Sequence, residues 1–389
     1  MANYISSNAN RFYVALEQNY GQAAAILAAN RFPAVKLHAE QSLLYGKRLD
    51  KTGSRTFLGA PKTARRHTVF QVHTYLTSWS GAGQPSYGPF FQSATGGSPV
   101  FSAGLVVANV QSPTQLQTTA PHNLAFGNAV AFSNEIRFVT AVPDPTTIIL
   151  NAPFSNQLTP NASLAQTVTY ALATTLPSVT LYDYWDPPSA VSRVITGAVV
   201  DTLNLAVNGD YHEFVFTGPA CDLLDSSSFV VGSAGLASFP SEPALGDFNY
   251  SIVPGQLGQV WLGSTPSQFF TLTAANLEIK NNIDVRNQEF GSSYPRSVAP
   301  GMREVVVNFA LFAQDDTQTA ALYAAAKQRG TISAMLQLGQ QQSEIMGIFL
   351  PTVTPEIPAF IDSETRLQWQ FKNNLAQGTA DDEIYIAFA

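Results

Sequence analysis

Charge is what this sequence has least of. Asp, Glu, Lys and Arg make up 12% of its 389 residues, about half of the roughly 25% usual in soluble domains. Much of the surface must therefore be Ser, Thr, Asn and Gln, or be covered by further copies of the chain. Cysteine occurs once, at Cys221, which excludes an intrachain disulfide, a thiolate zinc site and a paired redox motif, and leaves a small core or boundary residue. No apolar run approaches the roughly 18 residues that cross a bilayer. The opening MANYISSNAN lacks the basic start and apolar stretch of an export signal, so a soluble, unexported chain with no membrane contact is expected.

The charge that is present is unevenly placed. Between Arg31 and His67 lie nine of the 20 Lys and Arg but only two of the 27 acids, so the remainder carries 11 bases against 25 acids. A basic patch suits nucleic acid. An acidic bulk does not, because general DNA affinity is built from many phosphate neutralisations. Pairing of the basic stretch with an acidic surface of another subunit is the more economical reading.

Motifs of catalysis are missing too. The five histidines, His38, His67, His73, His122 and His212, are scattered. His38 and His73 are placed to face each other on paired strands, but no carboxylate or cysteine stands near them at metal-ligand spacing. Asp183 and Asp186 in DYWD formally match the paired acids of glycoside hydrolysis, yet the following Pro187 and Pro188 read as a turn. No nucleophile elbow, phosphate-binding glycine loop or zinc helix is present. Asn161 opens a glycosylation triplet that the absence of an export signal makes idle. No enzyme activity, metal or cofactor is expected.

What is present is two-residue periodicity. In TRLQWQFK, Leu367, Trp369 and Phe371 share one face and Arg366, Gln368, Gln370 and Lys372 the other, the pattern of a half-buried strand. EVVVNFALF aligns Val305, Val307, Phe309 and Leu311 in the same way. One helix is expected at about 316–329, opened by Asp315, Asp316 and Thr317 and closed by Lys327, Arg329 and Gly330. The alanine-rich QAAAILAAN is a second candidate helix.

The pattern occurs twice. Residues 32–76 run strand, long loop, strand, and residues 272–312 do the same; a short helix ending in glycine follows each, then further strands, with Gly197 and Gly347 at corresponding turns and Phe216 and Phe371 on corresponding strands. The expected organisation is a discontinuous first domain of 1–97 with 176–220, a small inserted β-barrel-like domain at 98–175 with a turn at Gly127, a connector at 221–268, and a second domain at 269–389. A length of 389 residues accommodates two or three packed units, and an insert is tolerated where its ends lie close together at the surface.

Five stretches in order, RFYVALEQNYG, FPAVKLHAEQS with KRLDKTGSRTFLG, TGAVVDTLNLAVNGDYHEFVFTG, NLEIKNNIDVRNQ and GMREVVVNFALF, resemble the tail tube (major tail) protein of long-tailed, non-contractile bacteriophages. The resemblance covers roughly 11–97 and 176–389. It implies a mainly β fold, here two tandem tail-tube-type β-sandwich or barrel domains, each with a flanking helix, plus the small inserted β-domain. It also implies a structural virion protein, assembled in the host cytoplasm into stacked rings through which DNA is ejected.

Six such domains normally surround the lumen, so two per chain imply a homotrimeric ring, with a homohexamer as the alternative. The implied partners are the chain itself and the tape measure, tail-tip and tail terminator proteins. DNA would pass without specific binding, over a lining kept acidic or neutral. The long loop would fix neighbouring rings through Lys47, Arg48, Asp50, Lys51 and Arg55, with Leu43, Leu44 and Phe57 as apolar anchors, and the second loop through Arg286, Glu289 and Arg296. The competing class is a decoration or tail-tip protein whose insert grips carbohydrate or a host surface.

Overall fold

The computed structural model describes all residues except 1–3, 47, 58, 60–63, 80–83, 247, 249 and 364. The fold is mainly β, with two α-helices among the described residues. The alternation seen in the sequence decides which side chains turn inward: Val305, Val307, Phe309 and Leu311 are all buried.

The strands centre on a row of eight antiparallel strands. In spatial order these are Ala359–Ser363, Arg366–Ala376, Glu304–Phe312, Leu272–Lys280, Thr202–Val207, Glu213–Ala220, Arg65–Tyr75 and Lys36–Leu44. The first four and the last four have the same connectivity. In each set a long hairpin supplies two strands, and a later, shorter hairpin lies against its second strand. The sets join where Thr202–Val207 pairs with Leu272–Lys280, placing Leu203 opposite Ile279 and Leu205 opposite Leu277.

A second layer covers one face of each set. Strands Asn10–Leu16, Val179–Trp185, Arg193–Ala198 and Asp222–Asp225 form a four-stranded sheet over the N-terminal set. Over the C-terminal set the order Gly258–Gly263, Ile332–Leu338, Met346–Thr354 and Tyr385–Phe388 repeats it. The segment 221–268, expected to be a connector, thus contributes strands to both outer sheets. Gly197 and Gly347 lie inside strands, not at turns, and only Gly197 has a positive φ, 61°. DYWD is likewise strand as far as Trp185, with the turn starting only at Asp186.

Each set carries one helix. Helix α1 (Gly88–Thr95) buries Phe90 and Phe91 completely, stacking Phe90 on Phe216 at 4.9 Å and setting Phe91 edge-on to Phe214 at 5.4 Å and to Phe388 at 5.1 Å. Helix α2 (Thr317–Gln328) is capped by Asp316, which accepts a hydrogen bond from the Thr319 amide at 2.7 Å. It ends on Arg329 in the left-handed conformation, one residue before the glycine expected to stop it. The QAAAILAAN run supplies only the 3-10 turn Ala28–Asn30. Its backbone is claimed by neighbours: the Ala24 amide donates to Thr180 Oγ1 at 3.0 Å and the Ala23 amide to the Ala234 carbonyl at 3.0 Å. Tertiary partners override alanine's helical preference here.

The cap gives a first expected result. Asp316→Ala should cost about 1 kcal/mol in chemical denaturation, with Asp316→Asn nearly neutral. The Thr319 amide holds the Asp316 carboxyl below the usual carboxylate range. Its contribution is therefore full above that range and lost as pH falls through the lowered value, so wild type and Asp316→Ala should converge in acid.

Between α1 and the outer sheet the chain forms a six-stranded sheet with its own core of Val107, Leu116, Val130, Val139 and Ile148. The flanks of 98–175 lie outside this body. Val100–Ser102 pairs with Thr167–Ala171, which in turn pairs with the C-terminal strand Tyr385–Phe388. Gly127, at φ 82°, makes the expected turn, and any Cβ there would fall 2.1 Å from the Tyr385 ring.

The insert docks on the outer sheet of the C-terminal set. Phe138 stacks on Phe349 at 5.3 Å, and Gly347 leaves room for it, since a Cβ would sit 2.8 Å from Ile136 Cγ2 and 3.0 Å from the Phe138 ring. Beside this contact Arg137 is 0% exposed. Its guanidinium donates to Glu135 at 2.7 Å and to the carbonyls of Pro153 and Ile136 at 2.8 and 2.7 Å, and lies 5.1 Å from the Trp261 ring. Gln259 donates to the other Glu135 oxygen at 2.6 Å. Burial lowers the Arg137 pKa to about 10.

Candidate assembly surfaces

Antiparallel hairpins put both long loops at one end of the row. Lys36–Leu44 and Leu272–Lys280 run towards this loop end, and Arg65–Tyr75 and Glu304–Phe312 run away from it. The turns at 208–212 and 313–316 and the start of Arg366–Ala376 lie at the opposite end.

At the loop end Leu43, Leu44 and Phe57 are exposed. Lys47 lies outside the described residues. Arg48 is bound to Asp50 of the same loop, Nε to Oδ2 at 3.1 Å, so these two neutralise each other. Lys51 and Arg55 are left as cations with no ion pair among the described residues. Tyr45 and Leu49 are exposed as well. Neither had been singled out, although apolar residues in so polar a loop were a usable signal.

The second loop, 281–303, holds a two-stranded ribbon, Asp284–Val285 with Val298–Ala299. Arg286, Glu289 and Arg296 come together: Glu289 is paired with Arg286 and lies 3.8 Å from Arg296. The single glutamate is shared by the two arginines, which leaves the trio one net positive charge, and exposed Phe290 and Met302, which charge-based reading missed, stand in the same loop. The loop folds back on the base of the first. The Arg66 amide donates to the Ser293 carbonyl at 2.8 Å, and its guanidinium lies 4.5 Å from the Tyr294 ring while pairing with Asp222 at 2.7 Å.

The row has two open ends, strands Ala359–Ser363 and Lys36–Leu44, each paired on one side only among the described residues. The junction inside the chain shows what such an edge looks like when filled. Phe360 lies opposite Trp369 as Leu205 lies opposite Phe214. Leu205, next to Leu277, is 0% exposed, whereas Phe360 is 53% exposed. An unpaired strand edge is a template for another chain.

The face of the row turned away from the helices bears Gln71, His73, Asn204, Thr217, Asn276 and Asn308, none of them fully buried. On it Lys280 Nζ lies 3.2 Å from Glu278 and His73 Nδ1 3.5 Å from Glu213, while the exposed Lys36, Arg366 and Lys372 of the same face have no ion pair among the described residues.

The groups considered for chemistry are dispersed. His38 opposes Gln71, and His73 opposes Lys36, so the two histidines do not meet. Asp183 is fully buried against Arg193 at 2.5 Å, and Asp186 pairs at 2.5 Å with Arg11, which also binds Glu242 at 2.6 Å, so the two carboxylates are held by different arginines. Burial pushes the Cys221 thiol up to about 12, so it stays protonated. No His, Cys, Asp or Glu group among the described residues has the geometry to hold a metal.

Comparison with curated proteins finds no match. Residues 75–384 match the family model described as phage tail tube protein, a span that takes in the C-terminal set of the row, the Thr202–Val207 and Glu213–Ala220 strands of the N-terminal set, both helices, the insert and the second loop, but not the hairpin that carries the first long loop. The chain therefore belongs to the phage tail tube protein family, a structural component of the virion.

Proposed function

We propose that the chain is two tail-tube units in tandem, and that three chains close into a pseudo-sixfold ring which stacks into the tube of a long, non-contractile tail, where DNA is ejected. The observation that carries this reading is the junction between Thr202–Val207 and Leu272–Lys280. One unit already joins the next edge to edge inside the chain, and the two edges left over are the counterparts of the two that are joined. Repeating that junction between chains consumes every open edge of the row, as closure does in any barrel.

The helix-free face then lines the bore. Phosphates spaced about 1.7 Å apart along the duplex would adhere to a basic wall by counterion release, whereas a wall made mainly of amides and hydroxyls lets a polyanion pass. The insert, docked on the opposite layer, stands outside. Tape measure, tail-tip and terminator proteins would meet the tube at its ends and within it.

Ring mass in solution, read by sedimentation or native mass spectrometry, tests the proposal. Three chains per ring are expected, with hollow rings or tubes in negative stain. Six chains would replace the trimer by a hexamer, and persistent monomers at high concentration would remove the assembly reading altogether.

A further inference from the structure

The insert carries almost no charge on its surface. Residues 98–175 include three charged side chains, Glu135, Arg137 and Asp144. The first two are buried against each other and His122 is buried as well, so Asp144 is the one exposed charge of the insert among the described residues. What this surface offers a partner is amides, hydroxyls and carbon.

A cleft of about 400 Å³ lies between the turn that joins Leu105–Ser112 to Gln115–Thr118 and the 153–158 loop, a size within the roughly 300–1,000 Å³ of small-ligand sites. Val110, Phe154 and Leu158 form its apolar floor, and Ser112 and the exposed Asn156 and Gln157 stand around it. None of its lining residues is ionisable. Gln115 opposes Ile149 while Gln117 opposes Thr147, which puts the cleft at the end of these strands away from Asp144.

A buried ion pair seldom adds stability over apolar residues of the same volume, so what this one holds in place is informative. The Arg137 guanidinium donates to the Pro153 carbonyl at 2.8 Å and lies 5.2 Å from the Phe154 ring, while Glu135 accepts from the Ser155 amide at 2.8 Å. Three successive residues of the cleft loop are thus fixed from beneath. Asn156 Nδ2 donates to Ser133 Oγ at 2.6 Å, leaving Oδ1 to accept, and Ser112 Oγ accepts from the Gln115 amide at 3.0 Å, leaving its proton to donate. The cleft is formed in advance, and little ordering is left for a ligand to impose.

We propose that this cleft binds a neutral sugar ring. A pyranose presents a face of C–H groups and a rim of hydroxyls that both donate and accept, which the apolar floor and the surrounding amides and hydroxyl match. An acidic sugar would bring a charge with no partner there. Resting on the tube reading for its outward position, the site recurs three times in each ring, so that contacts weak alone act together on a polymeric glycan.

Saturation-transfer NMR on the full chain tests this, with methyl glycosides of glucose, galactose, mannose and N-acetylglucosamine as probes and methyl glucuronide as the charged control. At least one neutral probe should bind with Kd on the order of 1 mM, the level that about a dozen heavy atoms reach at ordinary ligand efficiency. The glucuronide should bind at least about tenfold more weakly. Asn156→Ala with Gln157→Ala should weaken binding about tenfold at unchanged ring mass, and Asp144→Asn should alter nothing. Silence from every neutral probe, equal binding of the glucuronide, or binding indifferent to the double variant would overturn the site, while rings of normal mass in the same sample leave the tube reading standing. Sugar binding by a chain that forms no rings would instead remove the tube reading and keep the site.

Discussion

A chain carrying Ile361→Cys and His38→Cys is expected to form disulfides between copies on mild oxidation, running as covalent dimers and trimers without reductant. A chain carrying Ile361→Cys and Glu40→Cys, two residues out of step, should stay single. The register comes from the junction inside the chain. There Ala206 opposes Asn276. The counterpart of Ala206 is Ile361, because Ala206 opposes Glu213 just before Phe214, and Ile361 opposes Gln368 just before Trp369. The counterpart of Asn276 is His38, because Asn276 opposes Asn308 and His38 opposes Gln71, each beside the residue that faces Phe371 or Phe216.

Directly opposed residues have Cβ atoms about 4.5–5.5 Å apart, and diagonal ones about 7–8 Å, beyond what a disulfide spans without backbone movement. The background is favourable, since Cys221, as the sole native cysteine, is held protonated by burial. The companion variant Phe360→Asp should abolish rings at concentrations where the wild type assembles. Burying a phenylalanine contributes roughly 1.5–3 kcal/mol per contact, and a trimer has three such contacts to lose. Equal cross-linking of both cysteine pairs, or of neither in a sample that does form rings, would refute the shared register.

The second large effect lies at the base of the insert. Glu135→Ala should destabilise the chain by about 3–5 kcal/mol, because it strands a fully buried guanidinium without its carboxylate. Arg137→Met with Glu135→Gln should cost much less, since it removes the charge instead of orphaning it. Glu135 is held in the charged form against the cost of its own burial by bonds from Ser155 and Gln259 and by the Arg137 charge, which together bring its pKa below the usual range. Chemical denaturation of the three chains provides the comparison. A single variant as stable as the double one would show that the ion pair does not anchor the insert.

Much of this was legible in the sequence because it is local. The alternation in EVVVNFALF and TRLQWQF, the acid cap and basic last turn of α2, and the two hairpins with long loops all depend on neighbours along the chain. Non-local pairing was not legible. Nothing in QVWLG announces that Gly258–Gly263 stands to its outer sheet as Asn10–Leu16 stands to the other, or that Thr202–Val207 meets Leu272–Lys280, because register is set by distant partners. In the loops, charge drew attention to Arg286, Glu289 and Arg296, where two arginines share one glutamate, and away from Phe290 and Met302, which nothing among the described residues covers.

The docking of the insert has a further consequence. It rests on Phe349, Met335 and Tyr385 of the C-terminal half alone, so the duplication that makes the two halves of the row alike is broken on the outer layer. In a ring of three chains the bore would repeat every sixty degrees and the exterior only every hundred and twenty. Any partner gripping the tube from outside would find half as many equivalent footholds as the nucleic acid finds facets within.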